Sequence, residues 1–403
     1  MAGAFGYVFH FVAGRLLGPA QYAVVASAVA ALYLLNLPAL VVQTVSARYT
    51  SVAAGKGQLG NVPGLIFQVS GLGLAVGLVI AGALLVFTGP LSSFLQISDH
   101  RVVGFLALAS LIALLVAATR GALQGLRRFV ALSINVVIDM TVRVAAVAAL
   151  VLAGLGAVGG VIALVLGPAM AYAESLFLFR GLRSEHAGAR ASFGQMGRYA
   201  ALATVGAIGT TYLYNADVLL SKHYLAAEAA GIYAAASVLG RVVFFLGVTV
   251  AQVMFPEVAT LHAKNEPHYH VVDQSLALMT LVAVGLTVVY ALVPGLVVLP
   301  FGSAFAPVGP YLWRFALALG LLSIVNLLIN YFLSLGSGRF VIPLLAACGL
   351  ESGLIITFHS SPGQILQMVL STMVVLAALL SGLYAWERFR SATTSSPGTL
   401  ESS

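Results

Sequence analysis

Residues 129–179 read FVALSINVVIDMTVRVAAVAALVLAGLGAVGGVIALVLGPAMAYAESLFLF, and this stretch decides the fold. A helix that crosses the hydrocarbon of a bilayer needs about 20 predominantly apolar residues. Two such lengths follow one another here, 129–153 and 156–179, divided by the turn chemistry of Gly154 to Gly160. Asp139, Arg143 and Glu174 are the only charged side chains in the run. The pattern recurs outward in both directions, at 1–14, 20–46, 62–88 and 102–119, then at 199–221, 229–255, 273–300, 311–335, 338–358 and 363–386. The reading is all-α: a polytopic membrane protein of about 12 transmembrane helices.

Composition agrees. Of 403 residues, 61% are hydrophobic and 8% are charged, against about 25% charged in soluble domains. So few charges cannot cover a water-exposed surface on a chain this long. One cysteine, Cys348, excludes an intrachain disulfide and a multi-cysteine metal site. Nineteen Lys and Arg against 12 Asp and Glu leave a charge of +7. In a membrane chain that excess reports orientation and contact with membrane lipids, and no nucleic acid is expected as a partner.

Cytoplasmic loops collect Lys and Arg. With the N-terminus inside, that side holds Arg48, Lys56, Arg120, Arg127, Arg128, Arg180, Arg183, Arg190, Arg198, Lys264, Arg339, Arg388 and Arg390. The outer side holds Arg15, Arg101, Lys222 and Arg314, while Arg143 and Arg241 fall inside spans. The bias predicts an even number of spans with both termini cytoplasmic. Only 13 residues separate Met1 from Arg15, and no basic segment precedes the apolar run, so a cleaved signal peptide fits poorly. The expectation is that the given start clips the first helix.

Two regions echo each other. Leu17-Gly18-Pro19-Ala20-Gln21-Tyr22-Ala23 is matched by Leu225 to Gly231, and Gly125-Leu126-Arg127-Arg128-Phe129 by Gly336-Ser337-Gly338-Arg339-Phe340. Similar offsets suggest a duplication into two six-helix halves of the same orientation. The expected domains are an N-terminal half at 1–180, a basic cytoplasmic linker at 181–198, a C-terminal half at 199–387 and a disordered tail rich in Ser and Thr at 388–403.

On these residues the chain resembles the oligosaccharide-lipid flippases and polysaccharide transporters of the multidrug/oligosaccharidyl-lipid/polysaccharide exporter superfamily. The matching features are Arg15-Leu16-Leu17-Gly18-Pro19 with Tyr22, the loop from Arg48-Tyr49 to Gly57, and Leu123-Gln124-Gly125-Leu126-Arg127-Arg128-Phe129. Asn215-Ala216-Asp217 through Gly231-Ile232-Tyr233-Ala234-Ala235-Ala236 is also similar. Ala23 stands where the family usually has Gly, and Ala226-Ala227 replaces the second Gly-Pro. The resemblance implies a non-enzymatic flippase that carries an undecaprenyl-pyrophosphate-linked glycan to the outer leaflet. Partners would be that lipid-linked glycan and glycosyltransferases or a polymerase of the same pathway. No cofactor is implied.

Ionisable groups inside spans are expensive and are functional candidates by default. Asp139 and Arg143 stand one helical turn apart. They are either a self-neutralising pair or a site in which Asp139 holds Arg143 against the pyrophosphate. Arg241 has no opposite charge within a turn of its own span and is expected to face a cavity, with Asp217 as the alternative partner. Asp217, near the outer end of its span, is a candidate for gating or ion coupling or a residue solvated by headgroups. Glu351, close to the repeat position of Asp139, is a second ion-coupling candidate or a hydrogen-bonded structural carboxyl. Glu174, near Arg180, reads as interfacial. Pro38, Pro168, Pro294 and Pro343 fall within spans and are candidate kinks.

No Gly-x-x-x-x-Gly-Lys-Ser/Thr loop for ATP phosphates is present. Gly154, Gly156 and Gly159 match a dinucleotide fingerprint by letter but sit in an inter-span turn with no βαβ unit. His262, His268 and His270 share one loop, and the default is a solvated loop without metal. A cationic-drug exporter of the same superfamily would favour carboxylates in its cavity, whereas an anionic carrier favours Arg. A membrane enzyme polymerising glycans would need a larger outer loop than the roughly fourteen residues of 88–101. Arg143 and Arg241 therefore favour the flippase.

Overall fold

The computed structural model describes residues 2–55, 60, 62–180, 197–264 and 266–394. Every regular element among them is helical, as a bilayer demands of a chain that must satisfy its own backbone hydrogen bonds. In order these are α1 (Ala2–Leu35), α2 (Leu37–Gly55), α3 (Val62–Val86), α4 (Thr88–Phe94), α5 (Arg101–Gly125), α6 (Phe129–Leu150) and α7 (Gly156–Phe179). Then follow α8 (Gly197–Tyr224), α9 (Ala227–Ala263), α10 (Tyr269–Leu292), α11 (Val298–Phe301), α12 (Leu312–Ser334), α13 (Val341–Thr357) and α14 (Pro362–Thr394). A π-helical turn at Val151–Leu155 and 3-10 turns at Pro294–Val297 and Ser303–Tyr311 complete the set.

The expected spans map onto these helices with adjustments after α10, which ends at Leu292 ahead of a 3-10 turn at Pro294–Val297 rather than running to 300, and at the N-terminus. α1 holds the first two spans in one element, kinked at Gly18, whose φ of 69° is left-handed and suits glycine. Pro19 then starts the second segment, where a missing N–H costs least. The second span does not end near 46 but continues as α2 after a break at Asn36. Pro38 has no N–H to give the carbonyl one turn back, so the ladder is interrupted there. Among the described residues eight stretches are long and apolar enough to cross a membrane. One of them, Phe129–Phe179, is folded in two, with Gly154 at φ 89° and Gly156 at φ 54°.

The echoed loops after α5 and α12 share one turn. Arg128 N donates to Leu123 O at 2.9 Å, and Ser337 N donates to Phe332 O at 2.8 Å. The residue before each donor, Arg127 or Gly336, has positive φ, the arrangement that closes off a helix C-terminus.

Packing divides the chain into two compact units, residues 1–195, 218–238 and 295–307 in the first, and 196–217, 239–294 and 308–403 in the second. In the first, α5 packs on α2, α3 and α7, while α6 lies along α7 and against α1. Val42, Val69, Leu114 and Ala118 form part of its core. Tyr22 is fully buried there, its hydroxyl 2.9 Å from His10 Nδ1 and its ring edge-on to Phe301 and Phe305. In the second, the largely buried α12 packs against α10 and α14, and α13 packs on α14.

Residues 181–196 of the expected linker and 395–403 of the expected tail lie outside the described residues. The tail reading needs correction up to Thr394, because α14 continues to that residue. Its extension is held laterally: Glu387 pairs with Arg339 and accepts from the Tyr331 hydroxyl, and Arg388 pairs with Asp273 at 2.9 Å.

Candidate functional site

Three residues on α6, Asn135, Asp139 and Arg143, are spaced four apart and so share one helix face. Asp139 lies about 15 Å along the helix from Phe129, deep in the span. Its carboxylate is buried and takes two cations. Arg143 donates from Nε to Oδ1 at 2.6 Å and from Nη2 to Oδ2 at 3.2 Å. Arg120 of α5 donates from Nη2 to Oδ2 at 2.9 Å. Arg120 also donates from Nε to Asn135 Oδ1 at 2.7 Å. The Asn135 amide passes the network to α7, donating to Ala171 O and Glu174 Oε2, each at 2.7 Å, and to Ser175 Oγ at 3.0 Å.

Gly167 makes this crossing of α6 and α7 possible. A methyl group there would collide with Arg143 Cγ and lie 2.6 Å from the Asp139 backbone oxygen. Asp139 is almost entirely enclosed at 1% side-chain exposure, but the arginines keep 19% (Arg120) and 24% (Arg143). Each guanidinium carries five N–H groups. The bonds to Asp139 and Asn135 leave Nη1 of both arginines for another acceptor.

Two sequence readings change here. Arg120 is not in a cytoplasmic loop but inside α5, on a buried carboxylate. Glu174 is not simply interfacial but bonded to Asn135. Asp139 and Arg143 do pair, and Asp139 is shared with a second arginine, Arg120, which also has Glu174 as a charged neighbour.

The second unit is organised differently. Arg241 of α9 is 5% exposed, so the expectation that it faces an open cavity is not met. Its guanidinium stacks 4.2 Å from the Tyr214 ring centroid and donates from Nη2 to Tyr214 O at 3.0 Å and to Asn215 Oδ1 at 3.2 Å. These α8 acceptors were invisible to a search for opposite charge. Asp217, two residues further on, is buried at 5% exposure, which replaces headgroup solvation. Glu351 of α13 is fully buried, and neither carboxylate oxygen has a hydrogen-bond partner among the described residues. The hydrogen-bonded structural carboxyl expected there is therefore corrected. Its charged neighbour is another acid, Asp217.

Outside the spans, the three histidines do not form a solvated cluster throughout. His268 is buried, stacked on Tyr269 and 5.5 Å from the His262 ring. Burial pushes the His268 imidazole below its ordinary value. In the loop before α5, hydrogen bonds from Arg101 hold the partly exposed Asp99 carboxyl below the usual carboxylate range.

The fold is shared with solved transporters at low sequence identity. A multidrug resistance MATE family transporter of the MOP superfamily, in an inward-facing conformation, superposes with a TM-score of 0.82 at 12% identity, over 98% of this chain and 96% of that one. A MOP superfamily transporter from Pyrococcus furiosus, whose binding pocket is described as having reverse polarity, gives 0.66 at 12% identity, over 98% and 94%. A eukaryotic MATE transporter gives 0.61 at 14% identity, over 95% and 94%. No curated protein matches the sequence. The sequence profile described as polysaccharide biosynthesis protein matches residues 2–262, more than half of the chain. This polytopic helical membrane protein with a MATE-like fold belongs to the polysaccharide biosynthesis protein family.

Proposed function

We propose that the protein is a flippase that moves an undecaprenyl-pyrophosphate-linked oligosaccharide across the bacterial cytoplasmic membrane by alternating access, with both termini cytoplasmic. One observation carries the reading: two partly exposed arginines converge on a single enclosed carboxylate, Asp139, within a membrane-spanning unit. The chemical task is to carry a diphosphate and a polar glycan past about 30 Å of hydrocarbon while the polyprenyl tail stays in lipid. Guanidinium groups suit that task, because they remain charged and present paired donors to phosphate oxygens. Asp139 fixes the two side chains, and Arg143 with Arg120 takes the diphosphate. Cytoplasmic basic loops gather the anionic headgroup first. Arg241, stacked on Tyr214, is a further cation candidate for the same anionic cargo. Glycosyltransferases or a polymerase of the same pathway would supply and consume the cargo.

Asp217 and Glu351 are assigned to ion coupling. Glu351, with neither carboxylate oxygen hydrogen-bonded among the described residues, is costly to ionise, so its occupancy by a proton or a cation can be linked to transport. The same two acids favour the second reading, export of cationic compounds. A polymerising enzyme ranks below both.

The test is reconstitution into liposomes with a fluorescent polyprenyl-diphosphate oligosaccharide and a membrane-impermeant quencher. Protein-dependent exposure of inner-leaflet probe is expected. Movement of cationic dyes with no movement of the diphosphate lipid would replace this reading by the second.

A further inference from the structure

The second unit contains a cavity of about 520 Å³ between α8, α9 and α12 that none of the charged candidates lines. That size lies within the roughly 300–1,000 Å³ of small-molecule pockets. Its polar wall is built of amides and hydroxyls: Thr210, Gln252, Asn326 and Asn330. Phe244 and Phe255 supply aromatic surface, and no lining residue is ionisable.

Asn326 and Asn330 lie one turn apart on α12 and are positioned by the helix itself. The Asn330 amide donates to Asn326 O at 2.8 Å, which leaves its own carbonyl oxygen to accept from elsewhere. Gln252 is exposed and offers both a donor and an acceptor. An amide meets a hydroxyl in either sense, and an aromatic ring covers the C–H face of a pyranose. A cation would find no carboxylate here, and an anion no guanidinium or ammonium. The chemistry that fits is an uncharged, hydroxyl-rich ligand.

We infer that this cavity is a subsite for uncharged sugar residues of the transported glycan, separate in chemistry from the arginine pair that takes the diphosphate. The inference rests on the flippase reading and adds to it the class of glycan. A uronic acid or other charged sugar seated here would be desolvated without a partner.

The experiment uses the full-length protein in liposomes and three probes: a polyprenyl diphosphate with no glycan, one bearing a neutral trisaccharide, and one bearing a trisaccharide with a uronic acid. The wild type is expected to move the neutral-glycan carrier about tenfold faster than the uronic-acid carrier. Asn326→Ala and Gln252→Ala should each lower the ratio of neutral-glycan to bare-carrier rate by about tenfold, the scale of one or two lost hydrogen bonds. Gln252 is exposed, so its variant keeps the test valid where Asn326→Ala fails to fold. Asn326→Lys should shift preference toward the uronic-acid carrier. Equal slowing of all three carriers by the variants, or no preference in the wild type, overturns the subsite while leaving the diphosphate reading intact. Movement of none of the three overturns both.

Discussion

Asp139 and Glu351 are buried carboxyls at similar places in the two halves suggested by the sequence, and their surroundings are opposite. Asp139 is gripped by Arg120 and Arg143, one from each of two helices. Glu351 has no hydrogen-bond partner among the described residues and an acid as its charged neighbour. The repeat position of Arg143 falls close to Ile355, which is fully buried. One unit thus has a charge-satisfied site with donors to spare, and the other a carboxyl that gains little from being ionised. Under the proposed function the contrast corresponds to different work in related architecture: anion holding in the first unit, ion coupling and uncharged recognition in the second.

Breaking the pairing should separate the two units most strongly. Asp139→Asn leaves two partly exposed guanidinium groups without their shared counterion and is expected to cost about 3 kcal/mol, the low end for a broken buried pair because water still reaches both arginines. Thermal unfolding of the purified protein in detergent would read this as a large drop in Tm, and a drop of a degree or two would contradict it. Gly167→Ala pushes a methyl group into Arg143 and Asp139 from the α7 side. Overpacking of that kind costs about 1–3 kcal/mol, and transport of the diphosphate carrier should fall with it.

Glu351→Gln sharpens the comparison from the other side. With no hydrogen bond to lose, its stability should stay within about 1 kcal/mol of wild type. The pH or cation dependence of transport should flatten in this variant. An unchanged profile would remove Glu351 from coupling. The smallest effect concerns His268. Its depressed basicity means that the folded state binds the proton less readily than the unfolded chain. Stability from this group is therefore complete above the ordinary value of 6.5 and declines as the pH falls below it toward the folded value. A Tm series from pH 8 to 5 should fall less steeply in His268→Gln, and parallel curves would exclude the histidine.

The helical membrane architecture was readable because hydrocarbon imposes one rule on every span, and apolar length records it directly. The Gly154 turn and the Gly18-Pro19 break were likewise local signals. Arg120 was missed for a related reason. A ruler that ends each span at the first charge stops at Thr119, so an arginine turned inward looks like a loop residue. The spacing of Asn135, Asp139 and Arg143 was present in the sequence, but its polar partners on α5 and α7 are brought to it by tertiary packing. Arg241 shows the same limit: Tyr214 and Asn215 meet it with a ring, a carbonyl and an amide from another helix, which a search for acids passes over. The extension of α14 depends on Arg339 and Asp273, both distant in sequence.

The central claim is that the guanidinium groups around Asp139 hold a diphosphate. Its most direct measurement is the initial flipping rate of a fluorescent polyprenyl-diphosphate oligosaccharide in liposomes, compared between wild type and Arg143→Gln at equal amounts of folded protein. The account predicts a loss of at least about tenfold, the scale of one charge-assisted hydrogen bond. A variant that flips the lipid at the wild-type rate would contradict it.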